Sequence, residues 1–207
     1  MLKRHFKRLL AAIATVVVLA TPALSQPSLD ISVLNRHSWR GQPSNNSVSI
    51  QPELAVQIGE VGTTASVWSN FPLEGKKTEY DLTLSQIVGD VAKVSVISYY
   101  YNGPFLDVDN HDIEVGVSSN LIGIGVYAGR FISGDKVKDD TWLNVSYTLS
   151  DSLNIFAGVG NGNYVSNGDG MSLVLLGVST VNSEGYSGTL QYNVDTETPL
   201  LIVGKSW

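Results

Sequence analysis

The amino-acid sequence predicts an all-β fold, an antiparallel up-and-down transmembrane β-barrel of about twelve strands with both termini on the periplasmic side. Three observations predict it. Polar and apolar residues alternate with a period of two through segment after segment. Tight turns alternate with longer, more polar connections, as expected of a barrel with a periplasmic and an outer side. After residue 25 there is no apolar run of about 18 residues, so no helix can span a bilayer.

The first element is read as an export signal, residues 1–25. Lys3, Arg4, Lys7 and Arg8 form a basic start, Leu9 to Ala20 an apolar stretch, and Ala23-Leu24-Ser25 a small-residue cleavage site. The apolar stretch is short for a membrane anchor, which needs about 20 residues. Residues 26–207 are then the barrel. Losing the four basic residues of the signal from a total of 13 leaves 9 basic against 19 acidic side chains, a formal charge of −10. Such a chain lacks the basic face that nucleic acid requires. It contains no cysteine, which excludes disulfides, thiolate metal sites and thiol nucleophiles. It is rich in Gly, Ser, Val, Tyr, Thr and Asn, residues of strands and turns.

In chain order the predicted strands are Ser28–Trp39, Ser47–Ile58, Thr63–Phe71, Lys77–Ile87, Val91–Tyr101, His111–Asn120, Ile122–Phe131, Asp139–Leu149, Ser152–Val159, Met171–Val181, Tyr186–Val194 and Leu200–Trp207. The fourth sets Tyr80, Leu82 and Leu84 against Glu79, Asp81, Thr83 and Ser85. The sixth sets Ile113, Val115 and Val117 against Asp112, Glu114, Gly116 and Ser118. The eighth sets Leu143, Val145, Tyr147 and Leu149 against Asn144, Ser146 and Thr148. The eleventh sets Tyr186, Leu190, Tyr192 and Val194 against Ser187, Thr189, Gln191 and Asn193. Tight turns follow the even strands, among them Val88-Gly89-Asp90 and Ser150-Asp151. Longer connections, such as Arg40 to Asn46 and Asn102 to Asn110, follow the odd ones.

Parity alone does not say which face points inward. Aromatic residues break the tie. Tyr80, Tyr100 and Tyr192 fall on the apolar parity near the outer ends, and Tyr147, Tyr186 and Trp207 on the same parity near the periplasmic ends. Two such belts are expected at the two membrane–water interfaces. Lipid then receives the apolar face, and the polar face lines a wet lumen.

Short motifs carry a family resemblance. The chain holds Ser38-Trp39-Arg40-Gly41 at the predicted end of strand one and Trp68-Ser69-Asn70 in strand three, and it ends Gly204-Lys205-Ser206-Trp207. With these it resembles the TorF-type porin family, although Gly204 and Trp207 stand where that family has Ser and Phe. A terminal aromatic on the last strand also resembles the carboxy-terminal signal that outer-membrane insertion machinery reads. The resemblance implies a porin-like barrel of the bacterial outer membrane, in contact with lipid and lipopolysaccharide. It names no solute.

The candidate lumen is the polar-parity set. Its members are Asp30, Ser32, Arg36, Gln51, Glu53, Thr64, Ser66, Trp68, Glu79, Asp81, Lys93, Asp112, Glu114, Asn144, Gln191 and Asn193. Six carboxylates against Arg36 and Lys93 predict a narrow passage for small hydrophilic solutes with cations favoured, because a low-dielectric wall focuses the field. The competing expectation is an interior filled by side chains, its carboxylates paired, with Arg36 the organiser through bidentate bonding. Such a barrel would be structural or adhesive. Arg130 falls on the lipid parity near the outer end, where it can snorkel.

Other chemistry finds little support. A rim hydrolase would need His37 or His111, but Ser38 beside His37 points to the opposite face and no nucleophile motif is present. The sequence therefore predicts no enzyme. Asp107 to Asp112 has alternate carboxylates but lacks the glycine and terminal glutamate of a calcium loop, and no helix pattern follows Gly158-Val159-Gly160-Asn161-Gly162 as a phosphate loop needs. No cofactor is predicted.

Overall fold

The computed structural model describes residues 27–43, 46–59, 62–74, 78–101, 111–134, 139–164 and 170–207. The predicted export signal and Asp107 to Asn110 lie outside them. The strands are β1 (Ser28–Leu34), β2 (Ser38–Trp39), β3 (Gln42–Pro43), β4 (Ser49–Ile58), β5 (Thr63–Pro72), β6 (Glu79–Val88), β7 (Ala92–Tyr101), β8 (His111–Leu121), β9 (Ile124–Ser133), β10 (Thr141–Ser150), β11 (Leu153–Gly160), β12 (Ser172–Val181), β13 (Tyr186–Asn193) and β14 (Thr198–Ser206). Twelve of them close into an antiparallel barrel. Each strand from β4 to β14 pairs with the next, and β1 pairs with both β4 and β14. Closure matters because an open edge would leave a row of backbone amides and carbonyls without partners.

Both described ends of the chain lie at the end of the barrel that carries the tight turns. Ser32 lies opposite Ser206, and Ile31 and Trp207 exchange backbone hydrogen bonds. Two residues, Ile122 and Gly123, suffice to join β8 to β9. The opposite, loop end carries the longer connections.

Alternation divides each strand between an inward and an outward face. Asp30, Glu53, Trp68, Asp81, Tyr99 and Asp112 pair in turn across six strands and face the interior. On the other parity Val126, Val145, Ala157, Leu176 and Tyr192 pair across five. Four of these, Val126, Val145, Leu176 and Tyr192, are large and exposed. A contiguous apolar exterior on this scale is unusual for a soluble monomer. The aromatic belts are only partly presented. Tyr147, Tyr186 and Trp207 are exposed at the turn end, with Lys205 Nζ 4.3 Å from the Tyr186 ring centre. At the loop end Tyr192 is exposed. Tyr80 and Tyr100 are buried instead, with Tyr80 edge-on to Phe71 and Tyr100 stacked on His111. Arg130 faces outward as its parity requires and pairs with Asp139 at 2.9 Å.

The chief departure from the sequence reading is in the first forty residues of the barrel. The first strand stops at Leu34 rather than running to Trp39. The chain then bends, and β2 and β3 form a separate hairpin, with Ser38 opposite Pro43 and Trp39 opposite Gln42. Arg40 and Gly41 make its tip, with φ of 50° and 84°. Positive φ at both central residues is the signature of a type I′ turn, whose twist suits a two-residue hairpin. A Cβ on Gly41 would sit 2.9 Å from Leu175 Cδ1, so the tip is also closely packed. The connection is therefore not simply an outer loop. It puts an arm inside the barrel.

Around that arm lies the only extended apolar packing of the interior among the described residues. Tyr99, Phe131, Trp142, Val174 and Leu175 form its buried centre, with Trp39 of the hairpin packed against it. A bulge helps: Val174 is the extra residue where Gly158 opposes Leu175 and Val159 opposes Leu173. The bulge lets two consecutive side chains enter the core.

Candidate functional site

The centre of the interior is a salt bridge. Glu114 of β8 is fully buried. Arg40 Nη2, at the hairpin tip, lies 2.5 Å from its Oε1 and 2.7 Å from Oε2. The Tyr99 hydroxyl donates to Oε2 at 2.6 Å and the Tyr127 hydroxyl to Oε1 at 2.8 Å. Each carboxylate oxygen thus accepts from two donors. A buried carboxylate is tolerable only with such partners, since its desolvation costs several kcal/mol.

The strands explain the convergence. Tyr99 and Glu114 lie two registers apart on neighbouring strands, since Tyr99 opposes Asp112 and Ile97 opposes Glu114. Tyr127, Gly129 and Phe131 occupy successive inward positions on β9. Glu114 lies opposite Phe131, beside a register shift. Gly129 is required where it stands. A Cβ there would land on Glu114 Oε1 and 2.7 Å from the Tyr127 hydroxyl.

The guanidinium of Arg40 is caged by aromatic faces. Its central carbon is 4.7 Å from the Trp39 ring centre, 5.5 Å from Trp142, 5.7 Å from Tyr127 and 5.9 Å from Phe131. Ring quadrupoles attract a desolvated cation by about 2 kcal/mol or more in favourable cases. Trp39 also meets Tyr99 and Phe131 edge-on, each at 6.1 Å. The arm is seated on the barrel wall by hydrogen bonds. Gln191 Nε2 donates to Ser38 Oγ at 2.6 Å, Asn193 Nδ2 to the Gly41 carbonyl at 3.3 Å, and Gln42 Nε2 to the Asn163 carbonyl at 3.0 Å. The last contact is anchored in turn, because Asn163 donates from its backbone and side chain to Asp140.

A second polar group lies beside the first. Gln51 Nε2 donates to His37 Nδ1 at 2.9 Å and to Asn70 Oδ1 at 3.2 Å. With Nδ1 accepting, the ring proton belongs on Nε2, which faces Glu79 Oε2 at 3.5 Å. Trp68 covers the imidazole, ring centres 5.3 Å apart. Asp81, on β6 with Glu79, and Glu53, on β4 with Gln51, continue this acidic wall.

Toward the turn end the interior opens. A cavity of about 490 Å³ is lined by Lys93, Ser118, Asn120, Tyr127, Asn144 and Ser146, among others. Tyr127 belongs to both the cavity and the Glu114 site, lining the first and donating to Glu114 in the second, so the two adjoin.

The predicted lumen residues therefore fall into distinct places. Gln51, Trp68 and Glu79 gather around His37, with Asp81 and Glu53 alongside. Glu114 forms the salt bridge, Lys93 and Asn144 line the turn-end cavity, and Gln191 and Asn193 hold the arm. Asp30 is exposed at the turn end, and Asp112 is half-buried toward the loop end. Arg36 lies in the bend after β1 and makes no ion pair with a described residue. The organising cation is Arg40. Sequence reasoning missed Arg40 because it assigned that residue to an outer loop, and it passed over Tyr99, Tyr127, Phe131 and Trp142. Their signal was available: each is a large aromatic on the polar parity of its strand.

His111 stacks on Tyr100, and Ser38 accepts from Gln191. Among the described residues no group of three or more His, Asp or Glu side chains is placed to hold a metal ion. A search with protein-family models found no match for this chain, and a search of curated proteins found none either.

Proposed function

We propose that the protein is a narrow channel of the bacterial outer membrane that passes small hydrophilic solutes and favours cations, its lumen constricted by the β2–β3 arm. The observation that carries this reading is the sorting of faces. Large apolar side chains point outward from the barrel, and Glu53, Glu79, Asp81 and Glu114 point inward. Hydrocarbon accepts the first arrangement, and a confined acidic lumen concentrates cations. Its surroundings would be outer-membrane lipid and lipopolysaccharide, reached through the barrel-insertion machinery after export. The resemblance of the short motifs to TorF-type porins points the same way.

Recording in planar bilayers with a potassium chloride gradient tests it. Discrete openings whose reversal potential lies on the cation side are expected, and anion preference would overturn the charge argument. The buried Arg40–Glu114 bridge favours one other reading, a plugged barrel with a structural or adhesive role. Silence of both the native chain and a variant whose arm is unseated would establish that reading instead.

A further inference from the structure

The arm places a guanidinium in a site to which it contributes one ring, Trp39, and the barrel wall contributes the rest. Three barrel rings (Tyr127, Phe131 and Trp142) and three polar groups (the Glu114 carboxylate and the Tyr99 and Tyr127 hydroxyls) all belong to the wall. From these we infer that the wall forms a binding site for a small solute carrying a guanidinium group, and that Arg40 occupies it as an internal competitor.

The chemistry of the site selects the class. A single nitrogen of Arg40, Nη2, meets both carboxylate oxygens, so the carboxylate selects a cationic N–H donor and the rings select its kind. The aromatic faces favour a delocalised, weakly hydrated cation over a strongly hydrated one such as sodium. The two tyrosine hydroxyls hold the carboxylate in place from the wall, independently of its occupant. Gly129 keeps the floor open, since any side chain there would displace the Glu114 oxygen.

Exchange is physically reasonable for two reasons. The competitor is carried on a two-residue ladder, which is not stable by itself and depends on its seat. The site also adjoins the turn-end cavity, because Tyr127 lines the cavity and its hydroxyl donates to Glu114. Glu53 adds a carboxylate on the neighbouring wall. A solute that takes the place of Arg40 frees the arm and relieves the constriction. This last step rests on the channel reading above, whereas the site itself does not.

The test uses the purified barrel in detergent micelles, with methylguanidinium chloride as the probe at constant ionic strength. Tryptophan fluorescence, to which Trp39 and Trp142 contribute from beside the guanidinium, reports binding. Arg40→Ala should respond saturably to methylguanidinium and not to sodium. The native chain should need at least about tenfold more probe, because its own side chain holds the site most of the time. Arg40→Ala/Glu114→Gln should lose the response. Arg40→Met, which keeps the stem and removes the charged head, serves as a second acceptor should Arg40→Ala fail to fold. Absence of a saturable response in both variants would overturn the inference, as would a response that survives Glu114→Gln or that sodium reproduces. Bilayer recording separates this outcome from failure of the channel. Saturable binding with no conductance keeps the site and removes the channel, and conductance without binding does the reverse.

Discussion

Glu114 has given up all contact with water, and what replaces it is specific. One guanidinium and two phenols supply the donors, and the charge is balanced within the site. Removing one member of such a pair leaves the other buried and uncompensated. Glu114→Gln keeps the shape of the side chain and removes the charge, so Arg40 would remain caged without a counter-ion. The expected loss is about 3–5 kcal/mol of stability, measured by urea unfolding in micelles. Arg40→Met should cost a comparable amount for the mirror-image reason. The double variant should be clearly more stable than the sum of the two losses implies, because neither charge is then stranded. Strict additivity would mean that the two residues are not coupled and that the bridge is not the organising contact of the interior.

At the scale of the element, the arm explains both what the sequence disclosed and what it concealed. Strands with one face outward and one inward carry a period of two that the residues display, so β6, predicted as Lys77–Ile87, is found at Glu79–Val88. A two-residue strand has no period to detect, and β2 and β3 were therefore invisible to that reasoning. The break was still written in the residues. Leu29, Ile31 and Val33 share one parity, then Leu34 and Asn35 exchange roles, which marks where β1 ends. Once the register is lost there, parity no longer places Arg36, and the cation that reaches Glu114 lies four residues further on. The aromatic cage was legible in part, since Tyr99 and Trp142 stand on the polar, inward parity of their strands. Their common partner was not, because it comes from a distant segment. Gly41→Ala tests the arm itself. Alanine at φ 84° is strained by roughly 1–2 kcal/mol, and its Cβ would also crowd Leu175. The tip should leave its seat while the barrel stays folded. The expected signs are faster hydrogen exchange at Ser38 to Gln42 and a larger unit conductance. Unchanged exchange would show that the turn is not what holds the arm in place.

The whole molecule turns on which medium meets each face, and adjacent residues of one strand decide it. Val145 points outward near the middle of β10 and is exposed, paired with Val126 and Ala157. Asn144, its neighbour, points inward and lines the turn-end cavity. In the channel reading the first meets hydrocarbon and the second meets water. An arginine at Val145 then costs about 2–4 kcal/mol near the bilayer midplane, whereas one at Asn144 enters a wet space whose lining includes both Asp90 and Lys93. A barrel dissolved in water has the reverse preference. It would accept arginine at the exposed position with little change and would resist it in the interior. Folding of both variants into lipid vesicles, followed by urea titration, distinguishes the two. Val145→Arg should lower the unfolding midpoint and Asn144→Arg should leave it close to that of the native chain. The opposite order would mean that the apolar exterior serves contact with protein rather than lipid. The acidic interior would then no longer describe a path across a membrane.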